Sequence, residues 1–391
     1  MKTLLKWCAV IGAMALLFGA WPITAAGAEQ SGDFEYEIDD GKAIITRYLG
    51  SDTVVDIPAT VGGYPVTVIG NAAFIACTEM TAVTIPDGVT TLENAAFYGC
   101  SMLDEIHLPD SLIWIGSEVF DYTYYYDNPY NWEEGLLYIG KYLIKANSRE
   151  ISTSCQLKPG TRVIAAGAFE LCDDMQSVIV SEGLIGIGES AFKGCECLAL
   201  VILPGSVTAI GGGAFEGTAY YEYPGNWEDG ALYIGPYLIE VKGEEIPAHY
   251  NVRPGTKTIA EGAFISCGEM RSLLFPASVT NISPWVFQRC RALRHVYYGG
   301  TKEDREQLAI DIGNDRLSAA VWHYGATAPV IMAGDMDESG VLNMDDAFTL
   351  YRAMSGQITL SEAQTRAADM NGDEIVNMAD AFALYREVAG Q

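Results

Sequence analysis

Apolar positions return along this chain at a fixed interval. Phenylalanines fall at Phe74, Phe97 and Phe120, at Phe169, Phe192 and Phe215, and at Phe264 and Phe287, 23 residues apart within a group and 49 between groups. Three residues after six of them stands a cysteine: Cys77, Cys100, Cys172, Cys195, Cys267 and Cys290. Thr123 and Thr218 take that place before each long step. In one full unit, Val83 and Ile85 alternate with polar neighbours, which predicts a short strand with one buried face. Pro86, Asp87 and Gly88 end the strand with turn chemistry, and Val89, Leu92, Ala96 and Phe97 return across the other side of a coil. A unit of 23 residues cannot enclose its own apolar face, so the units must stack into a solenoid with a continuous core.

Stacking also accounts for the cysteines. Equivalent residues of successive coils lie about 5 Å apart, the spacing of neighbouring strands. A free cysteine in such a column is a small buried hydrophobe. The column reading stands against a disulfide framework, which an exported chain would otherwise invite. Cys155 and Cys197 fall off the column and receive no role.

The string I-P-x-x-V-x-x-I-G-x-x-A-F-x-x-C, seen at Ile202 to Phe215 and at Phe275 to Cys290, resembles the leucine-rich repeats of bacterial surface antigens, the BspA-like type. The likeness runs from about residue 33 to 323, with Tyr64-Pro65-Val66 leading into the first unit and Val296 to Gly300 leading out of the last. It implies protein interaction or surface adhesion rather than catalysis.

The two long steps hold a second duplication. Asn131-Trp132-Glu133-Glu134-Gly135 through Tyr138 to Ile144 recurs, 95 residues on, as Asn226-Trp227-Glu228-Asp229-Gly230 through Tyr233 to Ile239. Two apolar runs around Gly140-Lys141 or Gly235-Pro236 predict a hairpin. An aromatic cluster precedes each hairpin: Tyr124, Tyr126 and Trp132 with Tyr122, Tyr125 and Tyr130, then Tyr221, Tyr223 and Trp227 with Tyr220. These six named first in each group form a candidate ligand surface for sugar or protein, since insertions on one face of a solenoid often make its binding face. The alternative is that the tyrosines only cover the hairpin where it leaves the coil.

Past Tyr324 the register ends, and residues 325–333, with Pro329, read as a linker. Two related twelve-residue segments follow, 34 residues apart, beginning at Asp335 and Asp369. Calcium takes six to eight hard oxygens, and a twelve-residue loop supplies them from positions 1, 3, 5, 7, 9 and 12. Those positions are Asp335, Asp337, Ser339, Val341 (backbone), Asn343 and Asp346 in the first copy. In the second they are Asp369, Asn371, Asp373, Ile375 (backbone), Asn377 and Asp380. A chance acidic turn would not repeat the whole set. Position 6 favours glycine because its turn wants positive φ; Gly340 complies and Glu374 does not, so two calcium sites are expected, the second weaker.

Each loop runs into a helix, Ala347 to Arg352 and Ala381 to Arg386, with no incoming helix expected before the first. Loop plus helix, doubled, resembles the type I dockerin of cellulosomal proteins, from Gly334 to the end of the tail. That resemblance implies a calcium-dependent fold and a cohesin module of a scaffolding protein as partner. It places the cohesin contacts on Met344, Asp345, Tyr351 and Arg352, and on Met378, Ala379, Tyr385 and Arg386. The expected fold is therefore an α/β solenoid of leucine-rich repeats, 23-residue units with two hairpin insertions, followed by a small all-α calcium-binding dockerin. The expected domains are 1–28 signal peptide, 29–324 solenoid, 325–333 linker and 334–391 dockerin.

Composition narrows the rest. Lys2 and Lys6, the apolar stretch Ala9 to Ala20 and the small residues Ala26-Gly27-Ala28 read as a secretory signal, with a membrane anchor as the alternative for a stretch that falls short of a span. Cys8 leaves with it, and no later segment is apolar enough to cross a membrane. A net charge of −28 disfavours nucleic acid. An enzyme is not expected: carboxylates are abundant, but a glycosidase needs a placed pair, and His107, His249, His295 and His323 lack metal-ligand spacing. The chain thus reads as a secreted, non-catalytic component held at the cell surface through a scaffold. A free adhesin whose tail merely caps the solenoid is the alternative.

Overall fold

The computed structural model describes residues 29–326, 334–336, 342–370 and 375–389. The signal expected at 1–28, most of the linker with Pro329, and the loop residues Asp337, Ser339, Val341, Asn371, Asp373 and Glu374 lie outside the described residues. The chain forms a β-solenoid of about 12 turns with a helical C-terminal region. It divides into two compact units, one up to Leu112 together with Glu118–Asn128, the other made of Ile113–Ser117 and the residues from Pro129 on.

In the first unit each coil lends one short strand to each of two sheets. Val54–Asp56, Ala82–Thr84 and Glu105–His107 pair in parallel, with Val55, Val83 and Ile106 in register. Tyr64–Ile69 and Thr91–Leu92 form the second ladder. That ladder starts on an antiparallel meander, Glu29–Ser31, Phe34–Asp39 and Lys42–Tyr48, which joins Tyr64–Ile69 in parallel. The meander covers the strand edge that a bare coil would leave open. It also lengthens the aromatic column: Tyr48 stacks on Phe74 at 5.1 Å, Phe74 on Phe97 at 4.9 Å and Phe97 on Phe120 at 5.6 Å. The predicted column of phenylalanines thus begins one rung earlier, on a tyrosine 26 residues before Phe74.

The second unit repeats the plan. Ser154–Gln156, Ser177–Ile179 and Leu200–Ile202 pair in parallel. Each predicted hairpin forms, Leu136–Ile139 with Tyr142–Ala146 and Ala231–Ile234 with Tyr237–Val241. The second hairpin strand does not leave the solenoid. Tyr142–Ala146 pairs in parallel with Val163–Ile164, and Tyr237–Val241 with Thr258–Ile259, so each insertion supplies a rung of the ladder. Phe169, Phe192 and Phe215 stack at 4.9 and 5.3 Å, and Phe264 meets Phe287 at 5.3 Å.

All eight cysteines of the described chain are free thiols. In the column, Cys100, Cys195 and Cys290 each donate to the carbonyl of the phenylalanine one coil back, Phe74, Phe169 and Phe264, at 3.0 Å. Burial pushes the Cys172 thiol up to about 11 and the Cys195 thiol up to about 12, which keeps both protonated and unreactive. Cys155 sits at the inward strand position that Val178 and Val201 fill in the next two coils, and it is buried like them. Cys197 is exposed in the turn after Cys195.

Candidate functional site: the duplicated loops of the tail

Two helices, Met344–Met354 and Met378–Ala389, pack together over a small core of Met336, Ala347, Leu350, Ala381 and Leu384. Their first turns close the two loops in the same way. Asp346 is fully buried; one carboxylate oxygen accepts the Met336 N–H at 2.8 Å and the other accepts the Asn343 N–H at 2.8 Å. Asp380, also fully buried, accepts the Met370 N–H at 3.0 Å and the Asn377 N–H at 2.8 Å. Position 12 of each loop is thereby drawn against positions 2 and 9, and each carboxylate completes a charge-assisted bond at a helix N-terminus.

The donors are hard oxygens of the kind calcium takes: Asp335 is 6% exposed, Asp346 and Asp380 are fully buried, and Asp369 is half-buried. The asparagines at position 9 are engaged at the helix starts: Asn343 Oδ1 accepts the Asp345 N–H and Asn377 Oδ1 the Ala379 N–H, both at 2.7 Å. Asn377 also donates to the Ile375 carbonyl, the position-7 oxygen, at 2.9 Å.

One feature of the tail was not read from the sequence. A helix, Glu362–Ala368, enters the second loop, with Asp369 at its C-terminal end. Ser361 and Gln364 cap its start, each side chain bonded to the other's backbone N–H. That S-x-x-Q spacing is a helix-start signal available in the sequence. The Gly334 N–H donates to the Ala367 carbonyl at 2.7 Å, which ties the first loop's entry to this helix. Gly334 has φ +87° and lies so close to Leu384 that a Cβ there would come within 2.5 Å of it, so glycine is required twice over.

All eight residues expected to meet a cohesin are exposed: Met344, Asp345, Tyr351 and Arg352 on one helix, Met378, Ala379, Tyr385 and Arg386 on the other. Phe348 and Phe382 join them, 58% and 57% exposed. Met344, Phe348 and Tyr351 follow the spacing that puts three side chains on one helix face, and Met378, Phe382 and Tyr385 repeat it. The sequence places Phe348 and Phe382 inside the two helices without marking them as surface.

The aromatic clusters before the hairpins separate into engaged and free rings. In the first unit Tyr124 is exposed while Tyr126 is half-buried, its phenol pushed up to about 12 by burial and by the nearby Asp121. In the second unit Trp132 is half-buried. Trp227 Nε1–H donates to the Tyr221 carbonyl at 2.7 Å, the Tyr221 ring meets Trp227 edge-on, and Lys242 Nζ lies 4.3 Å from the indole centroid. Tyr223 is free in solvent, 63% exposed. The histidines also come closer than their spacing suggests: His295 and His323, on paired strands, approach to 3.2 Å. No helix among the described residues is long and apolar enough to cross a membrane.

Comparison with known families agrees with both halves of the chain. The BspA type leucine rich repeat region matches residues 67–158 and 162–294 in six copies, and the dockerin type I domain matches residues 333–389. No curated protein matches. Among solved structures, a leucine-rich repeat protein of T. pallidum is 22% identical, over 68% of this chain and 91% of that one, with a TM-score of 0.26. A leucine-rich cell surface protein of Faecalibacterium prausnitzii is 18% identical, over 73% and 98%, with a TM-score of 0.26. A leucine-rich repeat protein of Bacteroides ovatus is 21% identical, over 76% and 78%, with a TM-score of 0.27. Both matched families are non-catalytic interaction modules; dockerins of this type bind calcium and imply a cohesin partner. The chain belongs to the BspA-type leucine-rich-repeat family and ends in a type I dockerin.

Proposed function

We propose that the chain is a secreted, non-catalytic component of a cellulosome-type assembly. Its dockerin, 334–391, would bind a scaffold cohesin in a calcium-dependent way, while the solenoid, 29–324, presents a surface to protein or carbohydrate. The observation that carries this reading is the duplicated apolar face on the tail. Met344, Phe348 and Tyr351, and Met378, Phe382 and Tyr385, are all between 38% and 58% exposed beside an acidic loop. Exposed apolar clusters of this kind mark contact surfaces.

The calcium ligands would be Asp335, Asp337, Ser339, Val341, Asn343 and Asp346 in the first loop. In the second, the weaker of two sites, they would be Asp369, Asn371, Asp373, Ile375, Asn377 and Asp380. When bound, calcium supplies the charge that lets buried carboxylates share one small space. Asp346 and Asp380 also hold the loop ends to their helices.

Capture of the full chain on an immobilised cohesin-bearing scaffold fragment, in calcium and in chelator, tests the proposal. Retention is expected in calcium and loss in chelator. No retention in either buffer sinks it and leaves the free adhesin.

A further inference from the structure

The second unit contains a cleft of about 490 Å³ beside its second hairpin, lined by Glu216, Tyr221, Glu240, Glu261, Trp285 and Gln288 among others. Its size falls within the range of small-molecule and sugar subsites. Two of the carboxylates are already held by neutral donors. The Tyr221 hydroxyl donates to Glu240 Oε1 at 3.0 Å, and the Gly212 N–H donates to Glu261 Oε2 at 3.3 Å. Glu216 is bridged by Lys193 at 2.7 Å. Burial raises the pKa of both Glu240 and Glu261, the mark of carboxylates taken partly out of water.

The duplication supplies an internal control on whether the scaffold needs these side chains. Ninety-five residues earlier, the positions of Glu240, Glu261, Trp285 and Gln288 hold Lys145, Ala166, Ser190 and Lys193. The hairpin strands there pair with the next coil in the same register, Tyr142 with Val163 against Tyr237 with Thr258. Lys145 spends its ammonium on the Gly167 carbonyl at 2.8 Å. The coil therefore forms without the acidic and aromatic set.

Trp285 stands out as a residue type at its backbone position. Every coil carries a left-handed residue two positions before its phenylalanine. Those positions hold Ala72, Ala95, Glu118, Ser190 and three glycines; only the last coil places tryptophan there, at φ +57°. A bulky residue in that region is held at a cost of about 1 kcal/mol, as it is at Tyr122, Leu171 and Arg289 in other turns of the chain. The ring lies over Gly313, where a Cβ would come within 2.0 Å of it, and the residue is still 43% exposed.

We propose that this cleft is a binding subsite for a neutral polysaccharide. Trp285 would take the apolar C–H face of a sugar ring. Glu240 and Glu261 would accept bonds from ring hydroxyls, and Gln288 would both donate and accept. The negative charge of the cleft would turn away uronic-acid and sulfated chains. The proposal rests on the reading of the solenoid as an interaction surface and deepens it to one place and one ligand class.

Affinity gel electrophoresis of the full chain, in calcium, tests it with mixed-linkage β-glucan, glucomannan and polygalacturonate as probes. Retardation by a neutral probe and none by polygalacturonate is expected. Trp285→Gly should weaken the neutral interaction at least about tenfold while leaving the thermal midpoint unchanged or raised, since glycine suits a left-handed position. Glu240→Gln, which loses one acceptor oxygen, should weaken it several-fold. Undiminished affinity in Trp285→Gly overturns the cleft but leaves a carbohydrate-binding solenoid standing. No retardation by either neutral probe, or retardation by polygalacturonate alone, overturns the carbohydrate reading as well. Cohesin capture of the same variants, expected to match the parent, keeps these failures distinct from failure of the docking module.

Discussion

At the scale of single residues, the solenoid is held by columns whose members depend on their neighbours above and below. Phe192 is fully buried between Phe169 and Phe215, with ring centroids 4.9 and 5.3 Å away, and its N–H bonds the Ala214 carbonyl. Truncation there removes contacts to two coils at once and opens a cavity that close-packed rungs cannot collapse to fill. Phe192→Ala should cost about 3–5 kcal/mol of stability, read as a lowered urea midpoint. The columns could be seen in the sequence because the coils are identical in length, so equivalent residues recur at one interval. Tyr48 escaped because the meander makes the step before Phe74 three residues longer and the ring carries a hydroxyl. Trp285, Glu240 and Glu261 escaped for a different reason: they come from two coils and a hairpin, and only folding brings them to one cleft.

Among the elements, the helices of the tail show how little is needed to start a helix beside an acidic loop. The Asp346 carboxylate satisfies two backbone N–H groups, one at its own helix start and one ten residues earlier. Asp346→Ala leaves one buried and one half-buried donor without that acceptor, which should cost about 2 kcal/mol of the tail's stability. Loss of helical circular dichroism at lower temperature than in the parent would show it. Asp345→Ala is the control. Asp345 is exposed and contributes only its backbone N–H to the cap, so helix stability should hold while cohesin capture changes. Loops and outgoing helices were readable because ligand spacing and apolar spacing repeat together. The entering helix Glu362–Ala368 has only seven residues and shows no strong apolar period, so its capping residues were the one sign of it.

For the whole molecule, the two modules draw their stability from different sources. The last coils enclose a core that runs from Ala231 to Leu317, built of stacked rings and aliphatic strand residues and needing no ligand. Among the described residues the tail's core is seven buried side chains, four of them alanine or leucine on the paired helices, Ala347, Leu350, Ala381 and Leu384, and the others Met336, Ala367 and Ala368. A core that small cannot by itself offset the ordering of two loops and three helices, nor the burial of Asp335, Asp346 and Asp380. Calcium bound only to the folded tail would close that gap, adding about 2.7 kcal/mol when its concentration is a hundred times the dissociation constant. Chelation should therefore melt the tail early and leave the solenoid's own transition in place. Differential scanning calorimetry of the full chain should show one transition that moves with calcium and one that does not. A solenoid transition that falls equally in chelator would mean that the tail acts as a structural cap on the coils. Two separate transitions would mean that the coils keep their binding face whether or not the tail is docked.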